Sequence, residues 1–457
     1  MHVPHFNKLM SVGNKGLGQQ KTNRCSKDAT MGTKPGTVEI SIADIDALHL
    51  AVKALVAFSA KVADAKSIPG KATDVEVSIV MPCLNESDTL GACIEKAQEA
   101  LQSSGIIGEV IVADNGSMDN SPAIAVALGA RVVQVDQKGY GHALMGGIAA
   151  ASGKFIIMGD ADDSYDFREI PKFVEQLRTG AELVQGCRLP SGGGRILPGA
   201  MPFSHRWFGN PMFSRLARLM FSSRIDDIYC GLRGFTKDFY NRIDQRCTGM
   251  EFATEMILKA CVFGAKVAQV PITLWPDGRK SHPPHLRTLR DGWRTLRFYL
   301  TYSPKWLFLY PGMSAVLLGC LGYAVALPGL TLRGITFDAH TLLFASLAIL
   351  LGYQSIWFAV FTKLFTIGEG LLPEDPRLNS FFSVVNLERS LLAGTATFIA
   401  GVSLLLMAVN QWRLRDFGQL EYAYTMRWVV PGVTLTMVGF QTVLSSFFAS
   451  ILMMRRR

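Results

Sequence analysis

The sequence predicts a mainly parallel, doubly wound α/β module followed by a bundle of membrane-spanning helices. Charge density is the first observation behind that expectation. Residues 306–457 hold ten Lys or Arg and seven Asp or Glu, whereas residues 1–305 hold 36 and 30. A water-soluble chain does not normally halve its charge over the final third, so the mean hydropathy of +0.23 averages a polar module with a lipid-facing one. Periodicity is the second: short β-branched runs alternate with helical stretches over 75–185, and four long apolar stretches follow residue 305. With 49% hydrophobic and 18% charged residues, disorder and a small disulfide-stapled fold are both excluded.

Residues 1–37 mix Lys8, Lys15, Lys21, Arg24, Lys27 and Lys34 with Gly, Asn and Ser, and read as a disordered basic leader without the apolar run of a signal peptide. Over 38–70, Ser41 with Asp44 resembles a capping box, and Ile45, Leu48, Val52 and Leu55 recur at helical spacing, predicting an amphipathic helix that stops before Pro69-Gly70. Residues 71–285 form the α/β module. Strands are expected over 75–81, 109–113, 131–135, 155–159 and 182–185, with helices near 87–103, 120–128, 141–151 and 168–178. Ligands of such sheets bind beyond the carboxyl ends of the strands. The residues there are polar: Asn85-Glu86, Asp114-Asn115, Lys138 and Asp160-Ala-Asp162-Asp163.

Between 286 and 305, Arg287, Arg290, Arg294 and Arg297 interleave with Leu286, Leu289, Trp293, Leu296 and Phe298, the pattern of a basic interfacial helix. Residues 306–457 then supply four apolar stretches, about 306–328, 340–362, 390–410 and 428–454. Each is long enough to cross a hydrocarbon core of ~30 Å. Placing the α/β module inside puts eleven flanking Lys or Arg on that side and four outside, as the positive-inside bias requires. A multi-pass protein of a bacterial inner membrane with a cytoplasmic catalytic module is expected.

The eight cysteines show no CxxC pair or clustered His partners, so zinc and redox chemistry lack their spacing. Nor does the net charge of +9 accompany a helix-turn-helix, a zinc finger or an aromatic-basic strand pattern. Nucleic acid is therefore not an expected partner, and anionic headgroups or phosphorylated substrates suit the charge better. The strongest chemical signal is Phe155-Ile-Ile-Met-Gly-Asp160-Ala-Asp162-Asp163. An apolar strand delivers two carboxylates at alternate positions, able to share one hard divalent cation, Mg²⁺ or Mn²⁺, with diphosphate oxygens. Helix capping, for which Asp163 or Ser164 is suited, needs fewer aspartates than are present.

The stretches Val77-Ser-Ile-Val-Met-Pro82-Cys-Leu-Asn85-Glu86, Val112-Ala-Asp114-Asn-Gly116-Ser117-Met-Asp119, Lys138-Gly-Tyr-Gly141 and Asp160-Ala-Asp162 together resemble glycosyltransferase family 2, and within it the polyprenyl-phosphate glycosyltransferase branch. The resemblance implies a GT-A catalytic domain. It implies that Pro82, Leu84 and Glu86 wall the nucleotide base and ribose, that Asp114 contacts the base or ribose, that Lys138 adjoins the donor, and that Asp160 and Asp162 are the DxD metal pair. Ser164 stands where that branch often has Gln, leaving the third protein ligand open. Gly186-Cys-Arg188 and Asp226-Asp-Ile-Tyr-Cys-Gly231-Leu-Arg233-Gly-Phe resemble segments whose arginines face donor or lipid phosphate, and Val270-Pro271-Ile272 followed by Arg279-Lys280 resembles the segment whose cation, Arg279 or Lys280, approaches the lipid phosphate of the acceptor. Glu255, in Phe252-Ala-Thr-Glu255, matches an acidic position near the acceptor side.

By that resemblance the expected function is metal-dependent, inverting transfer of one hexose, glucose or mannose, from a UDP- or GDP-sugar to a polyprenyl or dolichyl phosphate, with Asp162, Arg188 and Arg233 in the catalytic group. A processive polysaccharide synthase is disfavoured because no Gln-x-x-Arg-Trp motif precedes the membrane stretches. A non-catalytic sugar-lipid carrier or scaffold is the alternative of another class, although few intramembrane charges mark a path. Homo-oligomerisation through the membrane helices is open.

Overall fold

A computed structural model describes residues 75–279, 288–384 and 386–454. The leader 1–37, the helix expected over 38–70, the stretch from Lys280 to Arg287 and the terminal arginines lie outside the described residues.

The α/β module follows the expected alternation: β1 (Val77–Cys83), α1 (Leu90–Ser103), β2 (Gly108–Asp114), α2 (Ser121–Ala127), β3 (Arg131–Gln134), α3 (Tyr140–Ala150), β4 (Phe155–Met158), α4 (Ile170–Arg178) and β5 (Leu183–Cys187). Burial on both faces explains the continuous apolar strands. Val77, Ile79 and Met81 of β1 enter one core layer with Leu90, Ile94 and Phe173. Val80 points the other way, to Leu144, Ile148 and Phe252.

After β5 come β6 (Arg195–Ile196), α5 (Asn210–Phe221), β7 (Arg233–Thr236), α6 (Lys237–Ile243), α7 (Glu251–Val262), β8 (Val267–Pro271), β9 (Thr273–Leu274) and α8 (Thr288–Tyr302). The main sheet has the order β3-β2-β1-β4-β7-β5-β8. Here the expected mainly parallel sheet is corrected to a mixed one, because β7 runs antiparallel to both β4 and β5. Four residues, Arg-Gly-Phe-Thr, are too few to reveal a strand by periodicity.

The segment expected to lie at the interface packs more deeply than its charge suggests. Tyr299 of α8 is fully buried, edge-on to Phe213 and Phe221 at ring separations of 6.2 and 5.7 Å. Trp293, by contrast, is 62% exposed. Thus α8 contributes to the core of the α/β module and presents another face outward.

The second module contains α9 (Tyr310–Ala326), the short strands β10 (Thr331–Leu332) and β11 (Ile335–Thr336), α10 (Ala339–Gly368), α11 (Pro376–Val384), α12 (Leu387–Leu414) and α13 (Tyr422–Met453). Together with the turn that starts at Lys305, these give four spans of 22 to 32 residues, matching the four predicted stretches. At 1.5 Å per residue each exceeds ~30 Å of hydrocarbon. Polar links join the helices inside: Tyr323 to Ser346 at 2.6 Å, Thr434 to Ser346 at 2.9 Å and Tyr353 to Thr442 at 2.6 Å. Such groups stabilise packing where water cannot compete.

Candidate active site

The loops that follow β1, β2 and β3 are laced to one another. Asn85 takes a left-handed conformation, φ 59°; its N–H donates to Ser117 Oγ at 2.9 Å and its Oδ1 accepts from Met118 N–H at 2.8 Å. Glu86 N–H donates to Ser121 Oγ at 2.9 Å, and Ser87 N–H to Asp119 at 3.0 Å. Asn115 donates to the carbonyls of Val135 and Gln137 and accepts from Gly139 N–H at 2.8 Å. Much of the polarity beyond the strands therefore builds the rim itself, since buried loop backbone must find partners.

Two expected donor contacts belong in part to this lacing. Asp114 is 1% exposed and accepts from the N–H groups of Gly116 and Ser117, at 3.3 and 3.1 Å. Lys138 Nζ donates to the Asn115 carbonyl at 2.6 Å. Pro82 and Leu84 lie at the carboxyl end of β1, the first half-buried and the second exposed.

Beside that rim, just past the end of β4, stand Asp160 and Asp162. Asp160 Oδ1 accepts the Tyr140 hydroxyl at 2.9 Å. Asp162 Oδ1 accepts both the N–H and the hydroxyl of Ser164, at 3.1 and 2.6 Å. Ser164 thus serves Asp162. Asp163, φ 61°, turns away to Lys96 at 2.6 Å. Burial, reinforced by the charge of Asp162, pushes the Asp160 carboxyl up to about 6. Gly231 is required at this point: a Cβ there would collide with Asp160 Oδ2 and come within 3.1 Å of the Tyr165 ring. Among the described residues no group of three or more His, Cys, Asp or Glu forms a complete protein cage. Two carboxylates at alternate positions suit a hard divalent cation that takes its remaining ligands from phosphate and water.

Arg279 gathers the carboxylates on the far side. It holds Glu86 through Nε and Nη2, both at 2.8 Å, Asp277 at 3.0 Å and Asp162 at 3.4 Å. Glu86, expected at the base and ribose, therefore lies in the same cluster as Asp162, joined by a residue 193 positions later.

The other two arginines, Arg188 and Arg233, are both buried. Arg188 forms a two-pronged pair with Asp227, Nε to Oδ2 at 2.7 Å and Nη2 to Oδ1 at 2.9 Å. Arg233 donates to the carbonyls of Ala253 and Cys230, at 2.6 and 2.8 Å. Arg188 is compensated by its counter-charge, as a guanidinium buried this far requires, whereas Arg233 has two carbonyls and a buried Nε without a partner. Both side chains are thus engaged by protein partners in this structure, while Lys280 lies outside the described residues.

An apolar surface beside α5 escaped the sequence reading. Phe203, Trp207, Phe208, Met212 and Leu219 are all exposed, with Arg206, Arg215 and Arg218 among them. The same alternation of apolar and basic residues that marked 286–305 was the available signal.

Residues 78–243 match the description Glycosyl transferase family 2, and residues 360–453 match its C-terminal transmembrane region. The low-salt glycan biosynthesis hexosyltransferase Agl6 of Haloferax volcanii is 34% identical over 374 residues, which cover 81% of this chain and 87% of the relative. A dolichyl-phosphate hexose transferase of the same organism is 28% identical over 198 residues, covering 43% of this chain and 82% of that one. A solved structure of glucosyl-3-phosphoglycerate synthase from Mycobacterium tuberculosis, in complex with Mn²⁺, uridine diphosphate and glucosyl-3-phosphoglycerate, aligns at 20% identity with a TM-score of 0.38, over 50% of this chain and 77% of that one.

Proposed function

The chain belongs to glycosyltransferase family 2 as a membrane-spanning hexosyltransferase, and on that premise we propose that it moves one hexose, glucose or mannose, from a UDP- or GDP-sugar to a polyprenyl or dolichyl phosphate. The observation that carries this reading is the placement of Asp160 and Asp162 beyond β4, on a module whose α8 runs directly into the first membrane span at Lys305. Similarity to a dolichyl-phosphate hexose transferase supports the choice of acceptor.

Asp160 and Asp162 would hold Mg²⁺ or Mn²⁺, which supplies positive charge against the leaving diphosphate. Tyr140 orients Asp160, and Ser164 orients Asp162. Arg279, beside Glu86 and Asp162, would approach the lipid phosphate, since its planar fork can bind phosphate oxygens bidentately once a carboxylate yields. A lipid phosphate oxygen attacks the anomeric carbon from the face opposite the nucleotide. The bond from that carbon to the diphosphate oxygen breaks with its electron pair, releasing nucleoside diphosphate and inverting the configuration. A phosphate anion needs no strong general base. The exposed aromatics of 203–219 and Trp293 of α8 support a catalytic face held against headgroups. Lys363, Arg377 and Arg389 flank the same ends of the spans, supporting a cytoplasmic position for that face.

The experiment is a panel of radiolabelled UDP- and GDP-sugars offered to the full chain in membranes with polyprenyl phosphate. Label should move into organic solvent in a single-sugar lipid. Label found only in long polymer, or in no lipid with any donor, overturns the proposal.

A further inference from the structure

We infer that Glu255 is a positioning residue that latches the helix leading into the membrane to the loop packed against the start of α3, from which Tyr140 reaches Asp160. It sits one turn into α7 with no exposed surface. Its Oε2 accepts the backbone N–H groups of Arg246 and Cys247, at 3.0 and 2.7 Å. Its Oε1 accepts the Tyr302 hydroxyl at 3.1 Å and lies 2.8 Å from Lys259 Nζ. Lys259 is also buried and donates to the Asp244 carbonyl at 2.5 Å. A dry carboxylate with this many donors is rigid, because losing a donor leaves charge uncompensated.

The two sides of this node lead to different places. Tyr302 ends α8, three residues before the first span begins at Lys305. Arg246 also reaches the Glu369 carbonyl, just past α10, at 3.2 Å. On the other side, the 246–248 loop abuts the start of α3 so tightly that only glycine fits. Gly139 has φ 141°, and a Cβ there would meet the Thr248 carbonyl at 2.6 Å; one at Gly141 would meet the Cys247 carbonyl at 2.5 Å. His142 N–H donates to the Thr248 carbonyl at 3.2 Å. Between those glycines stands Tyr140, whose hydroxyl holds Asp160 at 2.9 Å. The path from membrane to site is therefore Tyr302, Glu255, the 246–248 loop, Gly139 to Gly141, Tyr140 and Asp160. Its consequence for catalysis rests on the proposed role of Asp160 toward a divalent cation. The seating of α8 sets how well Tyr140 holds that carboxylate.

The test uses the full chain in detergent, with Tyr302→Phe, which opens the latch without stranding a charge, and Glu255→Gln as a stronger variant. Hydrogen exchange should quicken at least threefold over both 244–249 and 140–145 in Tyr302→Phe, with 108–114 unchanged. Quickening at 244–249 alone overturns the latch. In a second measurement, free Mn²⁺ is titrated with UDP or GDP present and followed by its magnetic resonance signal. Tyr302→Phe should weaken Mn²⁺ retention about threefold, and should weaken it no further in a Tyr140→Phe background. Additive losses in the double variant overturn the inference. Hydrogen exchange needs no sugar transfer, so a failure of the proposed reaction leaves this test intact and separately decisive.

Discussion

Arg188 decides between a substrate contact and a structural role, and breaking its pair with Asp227 distinguishes them. Both side chains are buried, at 8% and 0% exposure, and the carboxylate also accepts the Arg188 backbone N–H at 3.0 Å. Asp227→Asn keeps an oxygen for that N–H but leaves the guanidinium without a counter-charge. Arg188→Met leaves the carboxylate alone. Either single change strands a buried charge, at a cost of about 3–5 kcal/mol. At roughly 2–4 °C per kcal/mol for a domain of this size, the melting midpoint should fall by about 6–20 °C. In the Arg188→Met, Asp227→Asn double variant no charge remains and the backbone acceptor survives, so most of the loss should be recovered. Thermal melts of the full chain in detergent, run beside transfer assays, read the cycle. Single variants that melt within about 2 °C of the parent, together with loss of transfer in Arg188→Lys, would refute the structural assignment and return Arg188 to the substrate.

Chelation with EDTA should abolish transfer and Mg²⁺ or Mn²⁺ restore it, with Asp162→Ala lowering kcat/KM about a hundredfold or more, since a cation at developing charge is worth several kcal/mol; full activity in EDTA would contradict the DxD assignment. Gly231→Ala should push the Asp160 carboxylate aside and raise the half-saturating metal concentration, while a metal titration curve unchanged from the parent would show the contact to be slack. In the membrane module, Tyr323→Phe removes a hydrogen bond shared with Ser346 and Thr434 and should cost only about 0.6 kcal/mol, measured as a small drop in melting midpoint.

The strands β1, β2, β4 and β5 were legible because burial on both faces writes itself as a largely apolar run between turn residues, and the edge strand β3, Arg-Val-Val-Gln, from its two central valines. Asp160 and Asp162 lie just past β4, as the sequence suggested, because the apolar strand ends at Met158 and the polar run that follows forms the loop at its carboxyl end. The membrane spans were legible from length and apolarity alone, since hydrocarbon admits little else. β7 was not, being four residues with an arginine at its head.

Sequence by itself determined the residue types: carboxylates beyond β4, guanidiniums suited to phosphate, an aromatic and basic helix before the first span. Tertiary structure decided what each of them faces. Arg188 meets Asp227 across 39 positions and Arg279 meets Glu86 across 193, so two arginines of similar promise end in opposite places. One is held by a single buried counter-charge and the other gathers three carboxylates, with 13% of its side chain exposed. Charge type is a local property, whereas desolvation and pairing depend on every element that packs around the site, and only the folded chain brings those together.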